Sequence, residues 1–212
     1  MSTSTRKWLQ RYDAPQRINH WTVAITFVLA ALSGLALFHP SMYWLAQLFG
    51  SGTWARILHP FIGVVMFISF AGLAVRLWRH NRLAAADRQW LRRFRDVAAA
   101  RHVQLPPVGR YNGGQKLLFW VMVASALLLV VTGFGFWQPY FAPLVPVELM
   151  RVAVVLHAFA AFVLMLGIMV HIYAAIWVTG TMRAMVRGTV SAAWARRHHP
   201  LWYRQLTQGS KE

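Results

Sequence analysis

The stretch VAVVLHAFAAFVLMLGIMVHIYAAIWV, residues 152–178, decides the fold of this chain. It carries no Asp, Glu, Lys or Arg, and it is longer than the roughly 20 apolar residues that cross the hydrocarbon core of a bilayer as a helix. Two histidines, His157 and His171, interrupt it. Because ionisable side chains are costly inside a membrane helix and tend to be functional there, the stretch predicts a transmembrane helix that carries a functional site.

Three further segments are apolar and long enough to cross a membrane. The composition agrees, since 58% of the 212 residues are hydrophobic and 13% are charged. We therefore predict an all-α membrane protein, a single domain over residues 1–212 in which four transmembrane helices form a bundle. The predicted spans are residues 18–38, 55–78, 117–137 and 152–178.

The basic residues are distributed unevenly around these spans. The chain has 22 Lys and Arg and a net charge of +17, yet the connections 39–54 and 138–150 contain neither residue. The N-terminal flank, the loop 79–116 and the tail 179–212 carry the positive charge, so the positive-inside rule predicts that both termini and the middle loop are cytoplasmic. We expect a multi-pass protein of the bacterial inner membrane, with lipid rather than nucleic acid explaining the charge.

The chain has no cysteine, which excludes disulfides, Cys-ligated iron–sulfur clusters and c-type haem attachment. The nine histidines and nine methionines are the remaining candidates for holding a redox centre. Four histidines lie in or at the edges of the predicted spans: His20, His59, His157 and His171. The other five are expected to be interfacial or solvated: His39, His80, His102, His198 and His199.

Depth in the membrane pairs the four histidines. Fourteen positions separate His157 from His171, which is roughly 1400° of helical rotation and a rise of about 21 Å, so both lie on one helix face near opposite membrane surfaces. The alternating direction of the spans places His59 at the depth of His157 and His20 at the depth of His171. We expect two bis-histidine b-type haems, one in each leaflet. A lone histidine in a span is usually an interhelical hydrogen-bond partner, but four at two matching depths favour ligands.

Five specific motifs are spread over nearly the whole chain: RINHW at 17–21, ARILHPFIGVVMF at 55–67, GRYNGGQK at 109–116, LHAFAA at 156–161 and MVHIYAAIWVTGT at 169–181. Together they resemble the cytochrome b (gamma) subunit of respiratory membrane-bound formate dehydrogenases. The resemblance implies haems held by His59 with His157 and by His20 with His171. It also implies an iron–sulfur beta subunit and a molybdenum or tungsten alpha subunit that oxidises formate on the periplasmic side, with a possible higher oligomer of the complex.

The resemblance also implies a quinone site on the cytoplasmic side. It maps onto Asn112, Gly114 and Gln115, with His171 nearby, and the acceptor would be menaquinone or ubiquinone. Amide side chains can donate hydrogen bonds to a quinone carbonyl. The residues alone favour another explanation, in which RYNGGQ is a turn that caps the third span.

The predicted function is electron transfer from the periplasmic iron–sulfur subunit through two haems to quinone, in anaerobic respiration, by a subunit that does not itself oxidise formate. Two alternatives remain open at this point. The chain could be the cytochrome b subunit of a hydrogenase or a thiosulfate reductase, because haem ligation does not encode the partner. It could also be a haem-free membrane anchor or a small transporter whose histidines relay protons.

Overall fold

A computed structural model of the chain describes residues 7–98 and 106–208. It is mainly helical, with one two-stranded antiparallel ribbon. In chain order the elements are β1 (Trp8–Gln10), α1 (Ala14–Phe38), α2 (Gly52–Leu77), α3 (Ala85–Arg92), α4 (Phe94–Ala98), α5 (Gly113–Gly135), α6 (Val147–Trp177), α7 (Thr181–Arg187), β2 (Thr189–Ser191), α8 (Ala192–His198) and α9 (Pro200–Gln208).

The four predicted spans are confirmed as helices. Helices α1, α2, α5 and α6 are each long and apolar enough to cross a membrane. All four begin three to five residues before the predicted start. At α1 the reason is a capping box, in which the Asp13 carboxylate accepts from the Gln16 amide at 2.7 Å and the Gln16 side chain accepts from the Asp13 amide at 3.2 Å. Hydropathy locates the apolar part of a helix, whereas the polar cap decides where it begins.

The ribbon is a departure from the all-α prediction. Strands β1 and β2 pair antiparallel, with Trp8 opposite Ser191, and so join the two ends of the chain. Next to the ribbon, the amides of Arg11 and Tyr12 both donate to the Gly188 carbonyl, at 2.8 and 3.1 Å. Gly188 has a φ of 78°, and a Cβ there would lie 2.6 Å from the Tyr12 carbonyl oxygen, so only glycine fits.

Two sets of residues each pack among themselves. We call the set that contains both chain ends and the middle loop the terminal unit, and the other set the helical unit. The terminal unit is Met1–Arg17, Arg76–Trp120 and His171–Glu212, and the helical unit is Ile18–Val75 and Val121–Val170. The buried core of the terminal unit is Tyr12, Tyr111, Ala184, Val190, Ala195 and Trp202.

Two arginines make reciprocal contacts in the terminal unit. Arg11 is only 5% exposed, and its Nη2 donates to the Arg110 carbonyl at 2.7 Å. The Nη2 of Arg110 donates to the Arg11 carbonyl at 2.6 Å. The Arg11 guanidinium also lies 4.8 Å from the centre of the Trp202 ring, a distance at which a cation is attracted to the ring face. The charge of Arg11 is therefore balanced by a carbonyl and by aromatic rings, while its buried Nη1 has no hydrogen-bond partner among the described residues.

The tail histidine His199 is buried, contrary to the expectation that it is interfacial or solvated. Its Nδ1 donates to the Gly109 carbonyl at 2.8 Å, and its Nε2 accepts from Arg11 at 3.4 Å. Burial, followed by the nearby charge of Arg11, lowers the pKa of His199 to about 3. Of the other four, His39 and His80 are exposed and His198 is half-buried, while His102 lies outside the described residues.

The buried His199 predicts that the packing of the tail weakens as the pH falls. An undocked tail takes up a proton near pH 6.5, whereas the docked imidazole does so only near pH 3. Between these values the undocked state binds more protons, so the stability of docking falls as pH falls through 6.5. We expect hydrogen exchange of residues 189–203, corrected for intrinsic rates, to speed up between pH 7.5 and 5.

A matched pair of variants tests the cause. His199→Gln should abolish most of this pH dependence, whereas His198→Gln, at the half-buried neighbour, should keep it. Equal pH dependence in wild type and His199→Gln would contradict the assignment.

Candidate metal centre

The helical unit brings two of the predicted ligands together. His59 lies in the second turn of α2 and His157 in the third turn of α6, and both are partly buried. The centres of their imidazole rings are 6.2 Å apart, and the ring planes are inclined at 67°. His59 and His157, which depth places at the same level, are thus in ring contact.

A serine of α1 holds the His59 ring. Ser33 is fully buried, and its Oγ donates to the Leu29 carbonyl at 2.8 Å, one turn back in the same helix. Because a hydroxyl has a single hydrogen, the same oxygen acts as an acceptor towards His59 Nδ1, which lies 2.9 Å away. With the hydroxyl hydrogen assigned to the Leu29 carbonyl, the proton of a neutral His59 is assigned to Nδ1 and the lone pair to Nε2.

A threonine of α5 holds the His157 ring in the same way. Thr132 is 6% exposed, and its Oγ1 donates to the Leu128 carbonyl at 2.5 Å. It accepts from His157 Nδ1 at 3.1 Å. Both imidazoles of the pair therefore have Nε2 free to act as a ligand.

Glycines make room for both rings. A Cβ on Gly34, which follows Ser33, would lie 3.1 Å from Cε1 of His59, and a Cβ on Gly133, which follows Thr132, would lie 3.3 Å from Cε1 of His157. Both distances are shorter than ordinary van der Waals contact. The imidazoles thus pack directly against helix backbone at positions where no other residue fits without movement.

These matching contacts reflect an internal repeat that the sequence analysis missed. Residues 11–16, RYDAPQ, correspond to residues 110–115, RYNGGQ, and the same shift of 99 places LSG at 32–34 on VTG at 131–133. A shift of 98 places LHPF at 58–61 on LHAF at 156–159. The reciprocal bonds of Arg11 and Arg110 join equivalent residues, as does the 3.1 Å contact between the hydroxyls of Tyr12 and Tyr111.

The pair fits the axial positions of a haem iron. Metal–imidazole bonds are about 2 Å long, so two imidazoles on opposite sides of one metal have ring centres about 6 Å apart. The observed 6.2 Å agrees with this separation. Within residues 7–98 and 106–208, no group of three or more His, Asp or Glu side chains could hold a metal. A zinc ion needs four ligands, whereas haem iron takes four from its porphyrin and two from protein.

The other predicted pair is divided between the two units. His20 lies in α1 within the helical unit, is partly buried, and sits edge-on to the Trp21 ring with 5.6 Å between centres. His171 lies on α6 in the terminal unit and is exposed. Helix α6 runs unbroken from Val147 to Trp177 and so carries both His157 and His171.

The residues assigned to the quinone site form the start of α5. The Asn112 side chain accepts from the Gln115 amide at 2.8 Å, and the Gln115 side chain accepts from the Asn112 amide at 3.0 Å. A Cβ on Gly114 would lie 2.8 Å from the Trp90 ring of α3, which explains the glycine by packing. The capping turn that the residues alone favoured is thus present, and it employs the two side-chain oxygens rather than the NH2 groups.

Comparison with known proteins assigns most of the chain to one family. A family model described as prokaryotic cytochrome b561 matches residues 11–188. The formate dehydrogenase cytochrome b556(fdo) subunit of Escherichia coli (strain K12) is 48% identical over 207 residues, which cover 98% of this chain and 97% of that protein. The nitrate-inducible cytochrome b556(Fdn) subunit of the same strain is 40% identical, over 96% of this chain and 94% of its own length.

A third relative extends the match to another organism. The formate dehydrogenase cytochrome b556 subunit of Haemophilus influenzae (strain ATCC 51907 / DSM 11121 / KW20 / Rd) is 39% identical over 97% of this chain and 85% of its own length. The predicted resemblance to formate dehydrogenase cytochrome b subunits is confirmed.

The close approach of the rings to helix backbone predicts a penalty for Gly34→Ala. Alanine in place of glycine stabilises a helix by about 1 kcal/mol, but the new methyl group would displace His59, and overpacking of this kind costs about 1–3 kcal/mol. Gly63→Ala, in α2, is the matched control because a Cβ there meets nothing within 4 Å. Thermal unfolding in detergent, followed by tryptophan fluorescence, should rank Gly63→Ala above Gly34→Ala. Equal stability of the two variants would contradict the steric argument.

Proposed function

Because the chain belongs to the prokaryotic cytochrome b561 family, we propose that it is the membrane-anchor cytochrome b subunit of a respiratory formate dehydrogenase. Relatives that match over nearly their full length carry formate dehydrogenase in their names, and this observation favours that partner over a hydrogenase or a thiosulfate reductase. In this role the chain anchors an iron–sulfur beta subunit and a molybdenum or tungsten alpha subunit. The alpha subunit, not this chain, oxidises formate.

The single observation that carries the proposal is the His59–His157 contact. The rings of His59 and His157 are in edge contact with 6.2 Å between their centres, and the Nδ1 of each hydrogen-bonds to a hydroxyl. We assign the outer haem b to this pair. The inner haem b is assigned to His20 and His171 from their predicted depth and from the family resemblance. When bound, the two haems supply one-electron redox chemistry that links the iron–sulfur partner to quinone.

The distribution of charge supports the orientation. The positive-inside rule puts both termini and the residues 79–116 and 179–212 in the cytoplasm of a bacterium, and the chain in its inner membrane. His59 follows the 39–54 connection and His157 follows the 138–150 connection, and neither connection carries Lys or Arg. The outer haem would thus lie near the periplasmic surface, where the iron–sulfur subunit docks.

We assign quinone reduction to the cytoplasmic side, at Asn112, Gly114, Gln115 and His171. The capping turn occupies the side-chain oxygens of Asn112 and Gln115, so their NH2 groups are the donors that would contact a quinone carbonyl. Menaquinone and ubiquinone both present such a carbonyl. In the proposed site, the oxygen of each side-chain amide caps α5 and its NH2 group donates to the quinone.

Haem content tests the ligand assignment. The purified complex should show a reduced-minus-oxidised b-type spectrum with two haems per chain, and His157→Ala should leave one. His39→Ala is the control, because His39 is exposed and contacts Ser41, and it should retain two. A complex that assembles without b-type haem would return the chain to the class of haem-free anchors or proton-relay transporters.

The inner site is tested separately with His171→Ala. We expect loss of one haem and of quinone reduction, while formate oxidation with an artificial dye acceptor persists, since the alpha subunit is untouched. Retention of two haems and of quinone reduction would contradict the assignment of His171.

Charged isosteres separate capping from quinone binding. Asn112→Asp and Gln115→Glu keep the oxygens that cap α5 but remove the NH2 groups, and the first repeat already has aspartate at the equivalent position, Asp13. We expect normal assembly and haem content with quinone reduction at least tenfold lower, measured with formate and a soluble quinone analogue. Unchanged quinone reduction would mean that the two residues serve only as a cap.

A further inference from the structure

We propose that Ser33 and Thr132 are matched positioning residues for the outer haem, which fix the protonation and the electron donation of its two ligands. The inference rests on the proposed function, because it takes His59 and His157 to be the ligands. It assigns a role to two residues outside the ligand set, on helices that carry neither of these histidines.

The direction of the hydrogen bonds carries the argument. Each hydroxyl donates its hydrogen to a carbonyl of its own helix. Ser33 donates to Leu29, and Thr132 donates to Leu128. Each oxygen is therefore left as an acceptor for the Nδ1 proton of a histidine. This arrangement holds a neutral imidazole in the tautomer with its lone pair on Nε2, and it also fixes the rotation of the ring.

The repeat gives independent support. Ser33 and Thr132 are equivalent under the shift of 99 residues, and their partners His59 and His157 are equivalent under the shift of 98. The same contact therefore occurs once in each half of the chain, although the hydroxyl residue differs. Serine and threonine share the one property that the contact requires. Each has a hydroxyl that can donate to a carbonyl one turn back in its own helix and accept from a histidine of another helix.

A purely structural explanation is that these residues only bend their helices. Serine and threonine often donate to a carbonyl one turn back, and this slightly bends the helix. Thr26 of α1 does the same, and its hydroxyl bonds to the Thr22 and Val23 carbonyls, at 2.7 and 3.2 Å, rather than to a histidine. Thr26 therefore provides an internal control that keeps the helical effect and lacks the ligand contact.

The expected consequence is a change in the reduction potential of the haem. An acceptor on Nδ1–H makes the imidazole a stronger donor to a metal and favours the ferric state, so loss of the acceptor raises the reduction potential. We expect Ser33→Ala or Thr132→Val to change the ferrous-to-ferric ratio of one haem about tenfold at fixed potential, of the same order as the smaller effects of outer contacts on metal affinity. For a one-electron couple this is about 59 mV.

The test is potentiometric titration of the haem absorption bands of the intact complex, with electron paramagnetic resonance of the ferric haems. Ser33→Ala and Thr132→Val should raise the potential of the same single haem, and the double variant should raise it further. The conservative variants Ser33→Thr and Thr132→Ser should restore the wild-type potential. If an alanine or valine variant loses that haem instead, the conservative variant should restore its binding.

Three outcomes would overturn the inference. They are potentials unchanged in both variants with two haems bound, a shift as large in the control Thr26→Val, and failure of the conservative variants to rescue. Failure of the proposed function would instead be seen in haem content, as two haems retained in His157→Ala. Haem content therefore tests the ligands, and the reduction potential tests the role of Ser33 and Thr132.

Discussion

A neutral imidazole in an apolar helix bundle must find a partner for its N–H, and the arrangement of the helical unit follows from this requirement. An unsatisfied polar group costs several kcal/mol where water is absent. Ser33 and Thr132 meet the requirement for His59 and His157 without leaving their own hydroxyl protons unpaired. The glycines that follow them let the rings approach closely enough for these bonds to form. Two short motifs, Ser-Gly and Thr-Gly, therefore define the geometry of the histidine pair.

Hydropathy and charge were sufficient to predict the four spans, because burial in lipid imposes length and composition on each helix separately. Depth predicts that His59 lies at the level of His157, since a helix rises by a fixed amount per residue, and the two rings are 6.2 Å apart. The ribbon of β1 and β2 was not predictable in this way, because it pairs segments about 180 residues apart and neither segment has strand periodicity. The burial of His199 was missed for the same reason, as it depends on the distant carbonyl of Gly109.

The hydroxyl residues were missed although the signal was in the sequence. Ser33 and Thr132 look like ordinary small residues of membrane helices, and only the 99-residue shift marks them as equivalent. The repeat is conspicuous at its polar ends and at the two histidines, and it is weak between them because lipid-facing positions accept any apolar side chain. It fails at the other two span histidines, since Phe119 stands at the register of His20 and Leu73 at the register of His171. The repeat therefore includes His59 and His157 but not His20 or His171.

The ribbon that joins the chain ends has a consequence for biosynthesis. The partner of β1 is synthesised about 180 residues after it, which is roughly 10–35 s at typical elongation rates. The Arg110 carbonyl that accepts from Arg11 is made earlier, 99 residues after Arg11. The edge of β1 therefore stays unpaired until β2 has been made, and a chain truncated before residue 189 leaves that edge open.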